Sequence, residues 1–209
     1  MAISYISSAS AQASTATLGT NLAGDIIVVF AHRDGSTTAP SLATGYTNIA
    51  NPAGANTNSH RIGYKISTGS EANCGTWTNA TSVSAVVLRG QHSSPIGANA
   101  SGSASSSTIA YNTITLQVTD GTSWVVGGAG HRTATNLNQA PSGMTLRSST
   151  NDVNICDTNV GVSSWSTNSI TVNASSGWRS HTVEIKAAPT STSVSLERST
   201  RGWMRGGRG

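Results

Sequence analysis

Apolar residues in this chain cluster in short runs with a period of two or none, and at no point do they hold a helical period over three turns. The run GDIIVVFA (24–31) is continuous, as in a strand covered on both faces. In RIGYKI (61–66), Ile62, Tyr64 and Ile66 point one way and Arg61, Gly63 and Lys65 the other. In TVEIKA (182–187), Val183, Ile185 and Ala187 face inward, with Glu184 outward. Further strands are predicted at SVSAVVLRG (82–90), STIAYNTITLQV (107–118), SWVVGGAG (123–130), GMTLRSS (143–149) and SITVNA (169–174). Between them DGSTTAP, NPAGANTNS, TDGTS and QAPSG carry the chemistry of turns.

This pattern predicts eight to ten strands in an all-β fold, a single antiparallel β-sandwich of jelly-roll kind over residues 1–188. No internal repeat is visible, and the low-complexity stretch GANASGSASSS (97–107) reads as a long loop. After Ala188 the strand rhythm stops, so residues 189–209 read as an extended basic C-terminal arm in which TSVSLE could add one short strand.

Charged residues make up 10% of the 209, well under the usual quarter, and 34 serines and 28 threonines replace them. The picture is a globular chain with an uncharged polar surface. The net charge of +4 is localised: Arg198, Arg201, Arg205 and Arg208 lie in RSTRGWMRGGRG, which has no acid, and the remaining 8 basic and 8 acidic groups cancel. No apolar stretch is long enough to span a bilayer. The opening MAISYISSASAQASTATL lacks the basic and apolar regions of a signal peptide, so folding in a cytosol is expected. Cys74 and Cys156 read as two free, partly buried thiols, with pairing left open.

Catalytic motifs do not emerge. His32-Arg33-Asp34 matches the kinase catalytic-loop triplet, but the other kinase elements are missing, and it reads as a strand running into a turn at Gly35. The histidines (32, 60, 92, 131 and 181) lack metal-site spacing, no G-x-S-x-G is present, and the acids offer no evident glycosidase pair. The chain is therefore expected to be no enzyme and to need no cofactor and no metal. Trp77 and Trp165, in polar loop-like surroundings, are candidates for a surface platform that stacks on sugars or single-stranded nucleic acid.

Four phrases together resemble small virion structural proteins of tailed bacteriophages. They are GDIIVVFAHRDGSTTAP, SHRIGYKISTGSEANCGTWTNATSVSAVVLRG, DGTSWVVGGAGHRTATN and SSGWRSHTVEIKAA. The likeness covers roughly residues 1–187 and consists of packing and turn signatures. It implies a β-sandwich located in a virion, assembled in the host cytoplasm, as a capsid decoration or cement protein, a head-fibre component or a minor tail protein. The partners it implies are other virion proteins and further copies of the chain, with a trimer favoured. The arm lies outside the resemblance. It reads as a docking arm (Arg198, Arg201, Trp203, Met204, Arg205, Arg208), as an Arg-Gly tail for nucleic acid, or as a solvated end. Trp203 and Met204 favour a protein pocket over phosphate. The leading expectation is capsid decoration anchored by the arm, and the alternative is a receptor- or carbohydrate-binding module of a tail or head fibre that recognises a host-surface glycan.

Overall fold

The computed structural model describes residues 1–51 and 56–189, among which there are ten strands and no helix. In order they are β1 (Ser4–Ala11), β2 (Ile26–Asp34), β3 (Thr47–Ala50), β4 (Asn58–Ile66), β5 (Ser82–Arg89), β6 (Gln91–Tyr111), β7 (Trp124–His131), β8 (Thr145–Ser149), β9 (Val153–Asp157) and β10 (Asn168–Ala187). They pair antiparallel in two five-stranded sheets, ordered β1-β5-β2-β4-β3 and β6-β10-β7-β9-β8. The β-sandwich expected from the sequence is the fold. The jelly-roll order is not found. A jelly roll is built from Greek keys, whereas here the first five strands complete one sheet before the chain enters the other.

Three apolar layers explain the unbroken runs in the sequence. Between the sheets, Ile26, Val28, Phe30, Val86 and Leu88 meet Trp124, Val126, Ile155, Val183 and Ile185. The outer face of the first sheet (Ile27, Val29, Val83, Val87) is roofed by Leu18, Tyr46, Cys74 and Trp77 from its loops. The outer face of the second sheet is roofed by Ile109, Tyr111, Leu116, Trp165 and Ile170. Much of that second roof belongs to β6 and β10 themselves. Their register shifts between Thr171 and Ser176, and beyond the shift the ribbon lies back over its own sheet. Ser180, opposite Gly102, donates its hydroxyl to Ala110 O, and Thr182, opposite Ala100, donates to Asn112 O. The predicted loop 97–107 is thus the middle of a strand, and SITVNA and TVEIKA are two parts of one strand.

The two sheets are built alike. Their orders are the same permutation, with β1–β5 replaced by β6–β10. The register repeats as well: Thr47 faces Tyr64 as Thr145 faces Asp157, and the shift between Asn48 and Ala50 recurs between Leu146 and Ser148. A second irregularity, between Tyr5 and Ser7 opposite Val87 and Leu88, recurs opposite Val183 and Ile185. The turn before the third strand of each unit is the same. Tyr46 N donates to Ala43 O and Met144 N to Pro141 O, with Gly45 and Gly143 at φ 81 and 82 as a type II turn requires. The chain is thus two five-stranded units of like pairing geometry, residues 1–90 and 91–189. The sequence itself shows no repeat; the likeness lies in strand order, register and turns. Facing residues of the two units complement each other, as where Phe30 lies on Gly128 and His32 on Gly130.

Candidate functional site

Most groups able to do chemistry are inside the sandwich. His32, His60 and His181 are fully buried between the sheets. His60 Nε2 lies 3.3 Å from His181 Nδ1, and His181 Nε2 lies 3.1 Å from Asn99 Oδ1. The His60 ring stacks on Phe30 at 4.8 Å. Arg179 is buried beside them and donates from Nε to Asn58 Oδ1 (2.9 Å). Burial holds His32 and His181 down to about 4, and holds His60 well below the ordinary histidine range. These are neutral imidazoles in a packed interior. Among the described residues no three His, Cys, Asp or Glu side chains are grouped as a metal ion needs.

The buried carboxylates are engaged too. Asp25 takes a bidentate pair from Arg89 (2.7 and 2.9 Å), and Asp157 takes one from Arg147 (2.8 and 2.8 Å). Arg147 also lies over the Tyr5 ring, 4.0 Å from its centroid, and so ties β8 and β9 to β1. Glu184 does face away from the inter-sheet core, opposite Val125, but beneath a roof rather than toward solvent. It is fully buried and accepts from Ala98 N, Gln117 N, Val118 N and Ser123 Oγ at 2.8–3.0 Å. Four donors from three segments are converged on one carboxylate where β6 bulges away from β10.

Neither tryptophan proposed as a surface platform is at the surface. Trp77 is 0% exposed; its Nε1 donates to Cys74 O (2.9 Å) and its ring meets Tyr46 edge-on at 5.1 Å. Trp165 is 6% exposed and sits in the roof of the second sheet beside Ile114. Their polar sequence neighbours do belong to loops, but those loops fold down on a sheet, and the indoles are the apolar part that does the covering. Cys74 and Cys156 are both free and buried, one in each outer layer, so they do not meet. The predicted docking residues Arg198, Arg201, Trp203, Met204, Arg205 and Arg208 lie outside the described residues.

What the described surface offers instead is a cleft of about 660 Å³ at the end of the sandwich where β10 finishes. Val118, Asp120 and Thr122 form one wall, Asn159–Gly161 a second, and Met1–Ile3 with Ala187–Pro189 a third, with Trp124 also lining it. Met1 N donates to Ala188 O (3.0 Å) and fixes the chain as it leaves β10. Val160 is 60% exposed and Met1 69%. Asp120 accepts from Thr122 N (3.0 Å) and Thr122 Oγ1 (2.6 Å), which keep its carboxyl below the usual aspartate range. No lysine or arginine among the described residues lines the cleft. Volume and composition suit an apolar side chain with a cationic neighbour. From sequence, Asp120-Gly121 read only as a turn and SWVVGGAG only as a strand; the signal missed was Val160, one of two valines in the otherwise polar stretch DTNVGVSS.

No protein-family model, no curated protein and no solved structure matches the chain.

Proposed function

We propose that this chain is a non-enzymatic structural protein of a tailed-bacteriophage virion, which decorates or reinforces the capsid and is held to a neighbouring virion protein by Arg198–Arg208. The observation that carries the reading is where the chemistry lies. Histidines 32, 60 and 181 and the carboxylates of Asp25, Asp157 and Glu184 are consumed in the interior, which leaves a neutral surface rich in serine and threonine. A protein held at high local concentration in repeated contacts is served by such a surface, with its excess charge confined to a separate segment. The virion-protein phrases coincide with the strands and roofs that make this interior. The glycan-binding alternative invoked Trp77, Trp165 and nearby polar loops; with both indoles buried, it rests on the polar loops alone.

The test uses particles assembled without this protein. Added full-length chain is expected to saturate them and restore resistance to heat and low salt, and Trp203→Ala combined with Arg201→Ala and Arg205→Ala is expected to abolish binding. The reading is overturned if the chain does not bind such particles, or if its loss alters only adsorption to cells.

A further inference from the structure

The cleft joins three features that occur together nowhere else on the described surface: exposed apolar side chains, a carboxylate in no ion pair, and the point from which the chain departs. We propose that it is the docking site for residues 201–205 of a second copy of this chain, with Trp203 and Met204 against Val118 and Val160 and a flanking arginine on Asp120. The proposal rests on reading 198–208 as a docking segment and takes its neighbouring virion protein to be a second copy, so that loss of Trp203 would weaken attachment to particles through loss of the oligomer.

Charge and shape are complementary. Met1 and Val160 are two of only five exposed large hydrophobic residues among those described, and both border this cleft. Covering them removes apolar area from water, which favours association. Asp120 bonds only within its own turn and stands in no ion pair among the described residues. The segment supplies four arginines with no acid, flanking one Trp-Met pair. Trp and Arg are the residue types that dominate small docking contacts.

Reach allows a neighbour's cleft. Pro189 is on the cleft wall, and Trp203 follows after 203 − 189 = 14 residues. The intervening TSTSVSLERST contains no Gly, Pro, Asn or Asp and is rich in β-branched and small polar types. Extended, fourteen residues span about 46 Å, whereas a domain of this size has a radius of gyration of about 16 Å. A stretch of that length is long enough to set the Trp-Met pair in the cleft of a neighbouring copy. Such a contact closes by reciprocal exchange between two copies or, head to tail, into a larger ring such as a trimer when the rotation allows.

Sedimentation velocity of the full-length chain tests the proposal. The wild type is expected to be oligomeric, and Trp203→Ala and Val160→Lys each monomeric, with unchanged circular dichroism because Val160 is exposed. Asp120→Asn is expected to weaken association about tenfold, the loss of one hydrogen bond to a charged group, and to flatten its salt dependence. Mixing is the decisive arm. A Trp203→Ala copy keeps its cleft and a Val160→Lys copy keeps its segment, so the mixture is expected to form dimers that neither forms alone. A monomeric wild type, an oligomer indifferent to both substitutions, or a mixture that stays monomeric overturns the proposal. An oligomer that behaves as expected but ignores deficient particles keeps this contact and removes the virion reading; a monomer that binds particles through Trp203 does the reverse.

Discussion

His60 of the first sheet and His181 of the second meet at 3.3 Å, ring nitrogen to ring nitrogen, across the middle of the sandwich. One proton shared by the pair satisfies both, and two protons cannot be accommodated. His32 and Arg179 add to the penalty at His60, while at His32 itself Asp152 and Asp34 oppose it and His131 and Arg179 add to it.

Acid is therefore expected to unfold this protein early. The folded pKa values lie below the ordinary histidine value, so the unfolded chain binds more protons and stability falls with falling pH. For His32 and His181 the window runs from about 6.5 down to about 4. Each contributes about 3 kcal/mol over that span, together a large part of a typical domain's stability. The urea midpoint should be level above pH 7 and drop steeply between 6.5 and 4, and a midpoint unchanged at pH 5 would refute it.

Glu184 should act in the same direction, at lower pH. Burial pushes its carboxyl up, but the N–H groups of Gln117 and Ala98, the Ser123 hydroxyl and the Val118 N–H outweigh burial and bring it below the ordinary glutamate range. Its stabilisation is present above the unfolded glutamate value and is lost only as pH falls through the lowered one. Glu184→Gln turns an NH2 toward these donors and is expected to cost about 2–4 kcal/mol at pH 7, seen as a lower urea midpoint. The histidine drop below pH 6.5 should persist in that variant. If the substitution is neutral, the four-donor site is not an anchor.

Strand existence was largely legible in the sequence, because runs such as IIVVFA and SAVVLR have no other stable use. Strand β1 (SYISSASA) and the middle of β6 were not, since Ser, Ala and Gly carry no hydrophobic period, and these strands form through pairing with β5 and β10. The sites were least legible. Trp77 and Glu184 were both assigned from their neighbours in sequence, and both are placed by what folds onto them from afar. Val160 shows its role only once Val118 and Ala188 stand beside it.

Trp77→Ala and Trp165→Ala test that reassignment. Each removes a buried indole from a sheet roof, so each is expected to cost about 3–5 kcal/mol, measured by thermal or urea unfolding. A variant of normal stability would return that tryptophan to the surface role.

Gly128 faces Phe30 so closely that a Cβ there would lie 2.6 Å from the ring. Gly128→Ala is expected to destabilise by about 1–3 kcal/mol through overpacking, and Phe30→Leu in the same chain should recover part of the loss. Additive costs in the double variant would mean that the two do not share the space.

The two-unit architecture makes a prediction about assembly of the chain itself. Each half contains a complete five-stranded sheet with its own roof, and lacks only the partner for its inner face. Cleavage between Gly90 and Gln91 breaks the connection between β5 and β6 and no strand pairing. Fragments 1–90 and 91–209, expressed together, should therefore associate into one sandwich. Either alone exposes Phe30 or Val126 and their neighbours, and should aggregate or form pairs of like halves. The His60–His181 contact crosses the interface, so the reconstituted complex should dissociate as pH falls from 6.5 toward 4. Co-purification of the fragments at pH 8 and their separation at pH 5 would establish both points, whereas halves that never associate would mean that the sheets need each other during folding.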